Sequence, residues 1–252
     1  MRPGFPSAGV NADAENSWQA AARRFYDAEA MEKTSPARHR LFLESYARVA
    51  ERLGLGPSAL VLDAGCGCGE LTGALGEFHC RVVGVDLSLN SLHAAKSFHA
   101  DSSFLGSDLA RLPFRNQSFD GIAAITSLEF CPDRAAALAE LRRVLRQGGR
   151  LYVDVRNASF LPFSLLTPLF PVLQKIGLIR PYPAPGFRDL SLDEWKDALS
   201  QAGFEVREIR PSVWPWNFGS PATRAKNLLI EMVRRLAPIR GHYMVGLVAE
   251  KA

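Results

Sequence analysis

Thirteen residues, Leu60 to Thr72 (LVLDAGCGCGELT), restrict this chain more than any other stretch. They open on an apolar run, Ala59 to Leu62, short enough for a buried strand. They lead into an amphipathic stretch, Glu70 to Phe78, with the spacing of a helix. Three alternating glycines, Gly65, Gly67 and Gly69, make the join. Glycine accepts positive φ and has no Cβ, so a ligand can approach the backbone closely. The helix that follows aims its free N–H groups and the positive end of its dipole at that ligand. A strand, a glycine loop and a helix in this order make a nucleotide-type site at the carboxyl end of the first strand of an α/β sheet.

Spacing narrows the nucleotide. A dinucleotide fingerprint, G-x-G-x-x-G/A, would put its third small residue at position 70, which is Glu70. A phosphate loop needs a Lys after its glycines, and none is present. The pattern is acid-x-G-x-G-x-G with Asp63 as the acid. A carboxylate beside the loop suits a ligand carrying an amine or sulfonium and repels a pyrophosphate. The pattern resembles motif I of the class I S-adenosylmethionine (SAM) methyltransferases.

Downstream segments extend the resemblance. Val82 to Val85 reads as a second strand with Asp86 at its end, followed by Leu87 and by Ser88, a good N-cap for a helix to about Ala100. A carboxylate about 20 residues past the loop can accept hydrogen bonds from ribose hydroxyls. A third strand is expected to end at Asp108, and Asp108 with Leu109 fits an adenine pocket. The run DLARLPFRNQSFD (108–120) resembles a segment common to small-molecule methyltransferases of this class. A fourth strand, Phe119 to Ile125, runs into Thr126 to Phe130, and a helix spans Asp133 to Leu145. Gln147 to Arg150 turns into a fifth strand, Leu151 to Val155, and LRRVLRQGGRLYVDV resembles the helix, turn and strand of the same family. With matches in order over about residues 59–156, the chain is identified as a member of the class I SAM methyltransferases.

That resemblance implies a seven-stranded Rossmann-like α/β fold, mostly parallel with an antiparallel last strand, plus N-terminal helices and a lid-like insertion. It implies SAM as cofactor, S-adenosylhomocysteine as product, and no metal. The cofactor residues it points to are Asp63, Gly65, Cys66, Gly67, Gly69, Asp86, Leu87, Asp108, Leu109 and Thr126.

Residues 1–13 read as a mobile tail and 14–252 as a single domain. Helices are expected over 14–33 and 36–53. In the family such helices wall the substrate pocket, which makes Tyr26, Arg38 and His39 pocket candidates; a plain capping helix is the equal alternative. Between Arg156 and Lys175 no residue is charged, but Pro162, Pro168 and Pro171 argue against a membrane span. Residues 157–190 read as a lid, with Phe160 and Phe163 facing an apolar acceptor and Trp214 completing the wall; packing on the domain's own core or on a membrane surface are the alternatives. A helix over Leu192 to Ala202, a sixth strand over Phe204 to Ile209, a basic helix over 222–236 and a last strand over His242 to Glu250 follow.

Methyl transfer from a sulfonium is an in-line displacement in which positioning supplies most of the catalysis. A base is needed only if the nucleophile must lose a proton. Glu129, just past the fourth strand, and His39 are the candidates, while His93 and His99 read as surface residues. Thr126 to Glu129 replaces the [DN]-P-P-[FY] turn used for adenine and amide methylation, and Cys131-Pro132 reverses the Pro-Cys of cytosine C5 methylation. The acceptor is therefore expected to be a small molecule, reached at O, N or C. A net charge of +4 does not by itself call for nucleic acid, and interfacial membrane contact stays open. Two alternatives remain: an RNA methyltransferase, favoured only by basic helices near 142–150 and 224–240, and a non-catalytic SAM-binding subunit. Four cysteines in 252 residues make no disulfide framework, and Met1 to Asn16 lacks an apolar core. A cytoplasmic setting is expected.

Overall fold

The structure, a computed structural model, describes residues 20, 24, 27, 46–159, 172, 175, 189–212 and 244–252. Its frame is one sheet of β1 (Leu60–Ala64), β2 (Arg81–Asp86), β3 (Ser103–Gly106), β4 (Phe119–Ile125), β5 (Leu145–Arg156), β6 (Phe204–Pro211) and β7 (Met244–Lys251). The spatial order is β3-β2-β1-β4-β5-β7-β6. The first five strands pair in parallel. β7 lies antiparallel between β5 and β6, as the sequence led us to expect. Helices α1 (46–53), α2 (Glu70–Glu77), α3 (Leu89–Phe98), α4 (Arg134–Val144) and α5 (Leu192–Gln201) belong to the same unit. Residues 20, 24 and 27 are helical, within the first predicted N-terminal helix.

Period-2 alternation sends side chains to two cores, one on each face of the sheet. Leu62, Ile122, Leu151, Val153, Val245 and Leu247 join α4 and the buried Trp195 of α5 on one face. Val61, Ala123, Tyr152 and Val248 meet Tyr46, Val49 and Leu53 of α1 and Leu71 and Leu75 of α2 on the other. Strand order reverses between β1 and β4, and the crevice at such a switch point is where open α/β sheets bind ligands.

Most boundaries fall within one or two residues of the sequence reading, and those of β3 and β5 differ for a structural reason. β3 stops at Gly106, not Asp108, because it pairs with β2 only as far as Asp86, where β2 ends. β5 begins at Leu145, not Leu151, taking the Gln147–Arg150 turn into the strand with a register shift against β4. Gly149 permits this: a Cβ there would stand 2.8 Å from the Asp120 carbonyl oxygen of β4.

Candidate functional site

The glycines of the β1–α2 loop have three separate reasons. Gly65 has φ 80°. A Cβ on it would fall 2.3 Å from the Cβ of Ser127, whose hydroxyl donates to the Ala64 carbonyl at 2.7 Å. This contact stitches the end of β1 to the turn after β4. Gly69, with φ 85°, sits against α3, where a Cβ would lie 3.0 Å from His99 and 3.1 Å from Ala95. Gly67, with φ 54°, is different: a Cβ there would meet nothing within 4 Å. Its N–H donates to Asp86 Oδ2 at 2.9 Å, so the first loop is tied to the end of β2. Cys66 is buried beneath the loop, its N–H on the Val85 carbonyl, and burial pushes its thiol well above the usual range.

Asp63 is buried, and its Oδ2 accepts the Thr72 hydroxyl at 2.7 Å. Burial pushes its carboxyl up to about 7, against the pull of the Thr72 hydrogen bonds. Asp86 is half-buried, and its Oδ1 accepts the Ser88 N–H at 2.8 Å. Ser88 caps α3 as expected, and its hydroxyl donates to Asp27 at 2.5 Å; Asp27 also accepts the Asn90 N–H. Asp108, half-buried, accepts the Ala110 N–H at 2.9 Å, with Leu109 buried beside it. The loop they start is clamped by α4: Glu140 accepts the Leu112 N–H, and Arg143 donates to the Leu112 and Phe114 carbonyls. Thr126 carries φ 48°, which a β-branched residue rarely adopts, and its N–H is held by the Asp154 carbonyl.

Glu129 lies in a single 3-10 turn (Leu128–Phe130) immediately past β4. Its side chain is 1% exposed, and among the described residues neither carboxylate oxygen has a hydrogen-bond partner beyond the pull of its own backbone N–H. The nearest cation is Arg156 at the end of β5, with Nε 3.5 Å from Glu129 Oε1. The same Nε is 3.1 Å from Asp189 Oδ1. Burial pushes the Glu129 carboxyl up to about 7, against the pull of Arg156. Arg134 at the start of α4 donates to the Leu128 and Glu129 carbonyls, which holds the turn in place.

Of the other candidates, Tyr26, Arg38, His39, Phe160, Phe163 and Trp214 lie outside the described residues, as does the predicted 222–236 helix. His93 is exposed and His99 half-buried. The basic stretch 142–150 is engaged within the protein: Arg142 with the Gly203 and Ala252 carbonyls, Arg143 with Glu140, Arg146 with Asp120, and Arg150 with Glu250. Sequence reasoning passed over Arg156, Asp189 and Ser127. It also passed over a buried chain in which Arg52 donates to Tyr152 at 2.6 Å, while Tyr152 and Ser212 each donate to Asp154 at 2.9 Å. The run of buried β5 residues around Asp154 was the available signal, since a carboxylate inside such a run needs partners.

The methyltransferase-domain family matches residues 62–153. An O-methyltransferase of Penicillium expansum is 33% identical over 66% of this chain and 60% of its own length. One of Pyrenophora dematioidea is 36% identical over 66% and 63%. A demethylmenaquinone methyltransferase of Corynebacterium urealyticum is 30% identical over 66% of this chain and 72% of its own length. The chain belongs to the class I SAM-dependent methyltransferases. Solved structures agree on the methyltransferase fold. A SAM-dependent methyltransferase from Aquifex aeolicus superposes with a TM-score of 0.60 at 17% identity, over 90% of this chain and 98% of that one. A chain from a complex with the Haloferax volcanii Trm112 methyltransferase activator gives 0.69 at 21% identity, over 91% and 97%. The chain spans less than two thirds of the length of the two fungal methyltransferases.

Proposed function

We propose that this methyltransferase uses SAM to methylate a hydroxyl of a small, largely apolar acceptor. The observation that carries this reading is Glu129: a buried carboxyl with no side-chain hydrogen-bond partner among the described residues, near neutrality in its affinity for a proton, one turn past β4 at the carboxyl end of the sheet. Methylating a hydroxyl releases a proton, and a carboxylate that binds protons near pH 7 is matched to receive it. SAM, when bound, supplies a sulfonium methyl open to in-line displacement.

The chain's own residues suit that ligand. The open space over Gly67 leaves room against a backbone already braced by Asp86. Asp86, braced by the Gly67 and Ser88 N–H groups, is the proposed acceptor for the ribose hydroxyls. Asp108 and Leu109 offer a carboxylate and an apolar wall for adenine. Asp63, ionised, complements a cationic amino-acid group. Cys66, Gly65, Gly69, Leu87 and Thr126 complete the proposed cofactor surface, and S-adenosylhomocysteine is the proposed product.

Glu129 takes the hydroxyl proton as the new O–C bond forms and yields it to solvent afterwards. Tyr26, Phe160, Phe163 and Trp214 are proposed walls of the acceptor pocket, with His39 as a second candidate base. Two contacts support reading 157–190 as one excursion: Ala158 N–H reaches the Leu190 carbonyl at 2.9 Å, and Asn157 Oδ1 accepts from Ser159 and Leu192. The self-engaged arginines of 142–150 weigh against an RNA substrate. All four cysteines are free, in keeping with a cytoplasmic setting, and among the described residues no helix is long and apolar enough to cross a membrane.

The test is incubation with SAM and a panel of phenolic and hydroquinone probes. The expected result is a mass gain of about 14 Da (one CH2) on a probe hydroxyl, reduced at least 10-fold in Glu129→Gln, in keeping with the usual size of a general-base effect. No product from any hydroxyl probe, with gain at a carbon or an amine instead, would reassign the acceptor atom.

A further inference from the structure

Glu129 is not alone with its cation. Arg156 leaves β5 and presents Nε to two carboxylates from distant parts of the chain, Glu129 from the turn after β4 and Asp189 from just before α5. The two do not share it equally. Asp189 Oδ1 stands at 3.1 Å and Glu129 Oε1 at 3.5 Å; neither contact is an aligned hydrogen bond, so the difference between them is one of distance to the charge. All three side chains are largely withdrawn from water: Glu129 is 1% exposed, Asp189 9% and Arg156 21%.

Among the described residues no other cation stands against Glu129. Arg134 of α4 donates to backbone carbonyls and lies over the Trp195 ring of α5 at 5.8 Å. Arg156 lies over the Phe130 ring at 5.0 Å. Asp154 of β5 adds negative charge and is held by Tyr152 and Ser212. Cys131, just past the 3-10 turn, has a thiol pushed up to about 12 by burial and stays neutral. Arg156 thus faces two dry carboxylates, of which Asp189 also feels the charge of Arg134, and like charges in such a site cannot both ionise cheaply. The pair titrates jointly, and the carboxylate farther from the cation keeps the proton to higher pH.

We propose that Asp189 is a positioning residue for the reaction, taking the nearer share of Arg156 and so leaving Glu129 able to accept a proton. This rests on the assignment of Glu129 as base. Without the Asp189 charge, Arg156 would turn more of its field on Glu129. Glu129 would then ionise at lower pH and become a weaker base.

The test reads Glu129 directly and needs no acceptor. Protein carrying 13C at the Glu side-chain carboxyls, saturated with S-adenosylhomocysteine, is titrated by NMR. The Glu129 signal is identified by its loss in Glu129→Gln. In Asp189→Asn the Glu129 midpoint is expected to fall by roughly one pH unit or more, the usual effect of a removed like charge beside a cation. Asp189→Glu, which restores the charge, is expected to return it toward the wild-type value. Asp189→Ser carries the same comparison should the Asn variant fail to bind S-adenosylhomocysteine by calorimetry. An unmoved midpoint in the uncharged variants overturns the role of Asp189 and leaves Glu129 as base intact. Undiminished turnover of a phenolic probe by Glu129→Gln removes the base, and the proposal with it.

Discussion

Gly65 shows how much one absent methyl group can decide. Its φ of 80° and its place 2.3 Å from the Ser127 Cβ leave Ala two faults, a strained backbone and a clash with a side chain that is itself hydrogen-bonded. Gly65→Ala is expected to part the β1 loop from the turn after β4 and abolish measurable SAM binding; near-native affinity by calorimetry would show that the loop can shift without cost. Asp86 works differently, through charge. Removing a charged hydrogen-bonding partner costs about 1.5–3 kcal/mol, so Asp86→Ala should weaken SAM binding roughly 10- to 150-fold. Part of that loss belongs to Gly67 and Ser88, whose N–H groups Asp86 orders. Asp86→Asn, which keeps an acceptor oxygen, should lose less. Equal affinity in both variants and the wild type would place the ribose elsewhere.

At the scale of elements, what matters is how each helix is delivered to the sheet. α5 begins with a full capping box: Ser191 Oγ accepts the Glu194 N–H, and Glu194 Oε2 accepts the Ser191 N–H. It carries Trp195 into the core and holds the chain just after Asp189. Ser191→Ala should cost about 1 kcal/mol. In a domain of this size that is a fall of roughly 2–4 °C in Tm, readable by calorimetry. A larger fall would mean that the cap also secures the Asp189–Arg156 contact. The periodicities of α2, α3, α4 and α5, and the Ser88 cap of α3, were legible because they depend on residues three or four apart. The ends of β3 and β5 were not, because a strand ends where its neighbour's ladder ends.

Over the whole molecule, the buried carboxylates set the response to pH. Asp63 and Glu129 have folded-state values near 7, against about 4 in an unfolded chain. Between about pH 4 and 7 the folded protein therefore binds more protons at these sites than the unfolded chain does. Their contribution is most favourable at the acid end and is lost as pH rises toward 7. Glu140 and Glu250, held low by Arg143 and by Arg207 with Arg150, act in the opposite sense, their stabilisation being lost as pH falls through their range. Both lie at the surface, 22% and 26% exposed and open to screening by solvent, and weigh less. The ligand-free protein should melt at a higher temperature near pH 5.5 than near pH 7.5, and Asp63→Asn should flatten that slope. A Tm that rises steadily from pH 5.5 to 7.5 would show that these carboxylates are hydrated in solution.

The sequence by itself determined the strand, glycine loop and helix, the carboxylates at the ends of β2 and near β3, the succession of elements and, through resemblance, the family. These rest on turn geometry and side-chain periodicity, which act over a few residues. Glu129 could be named from its place after β4, but not its condition. Arg156, Asp189 and Glu129 meet because β4 and β5 are neighbours and α5 folds back beside them. Arg52 and Tyr152, one hundred positions apart, meet because α1 covers β5. Tyr152 fits there because Gly246 of β7 lacks a Cβ, which would lie 2.3 Å from the phenol oxygen. Spacing cannot say which carboxylate a given arginine will reach. Only the order of strands, with burial that removes water as the competing partner, decides whether a charge is paired, shared or left holding its proton.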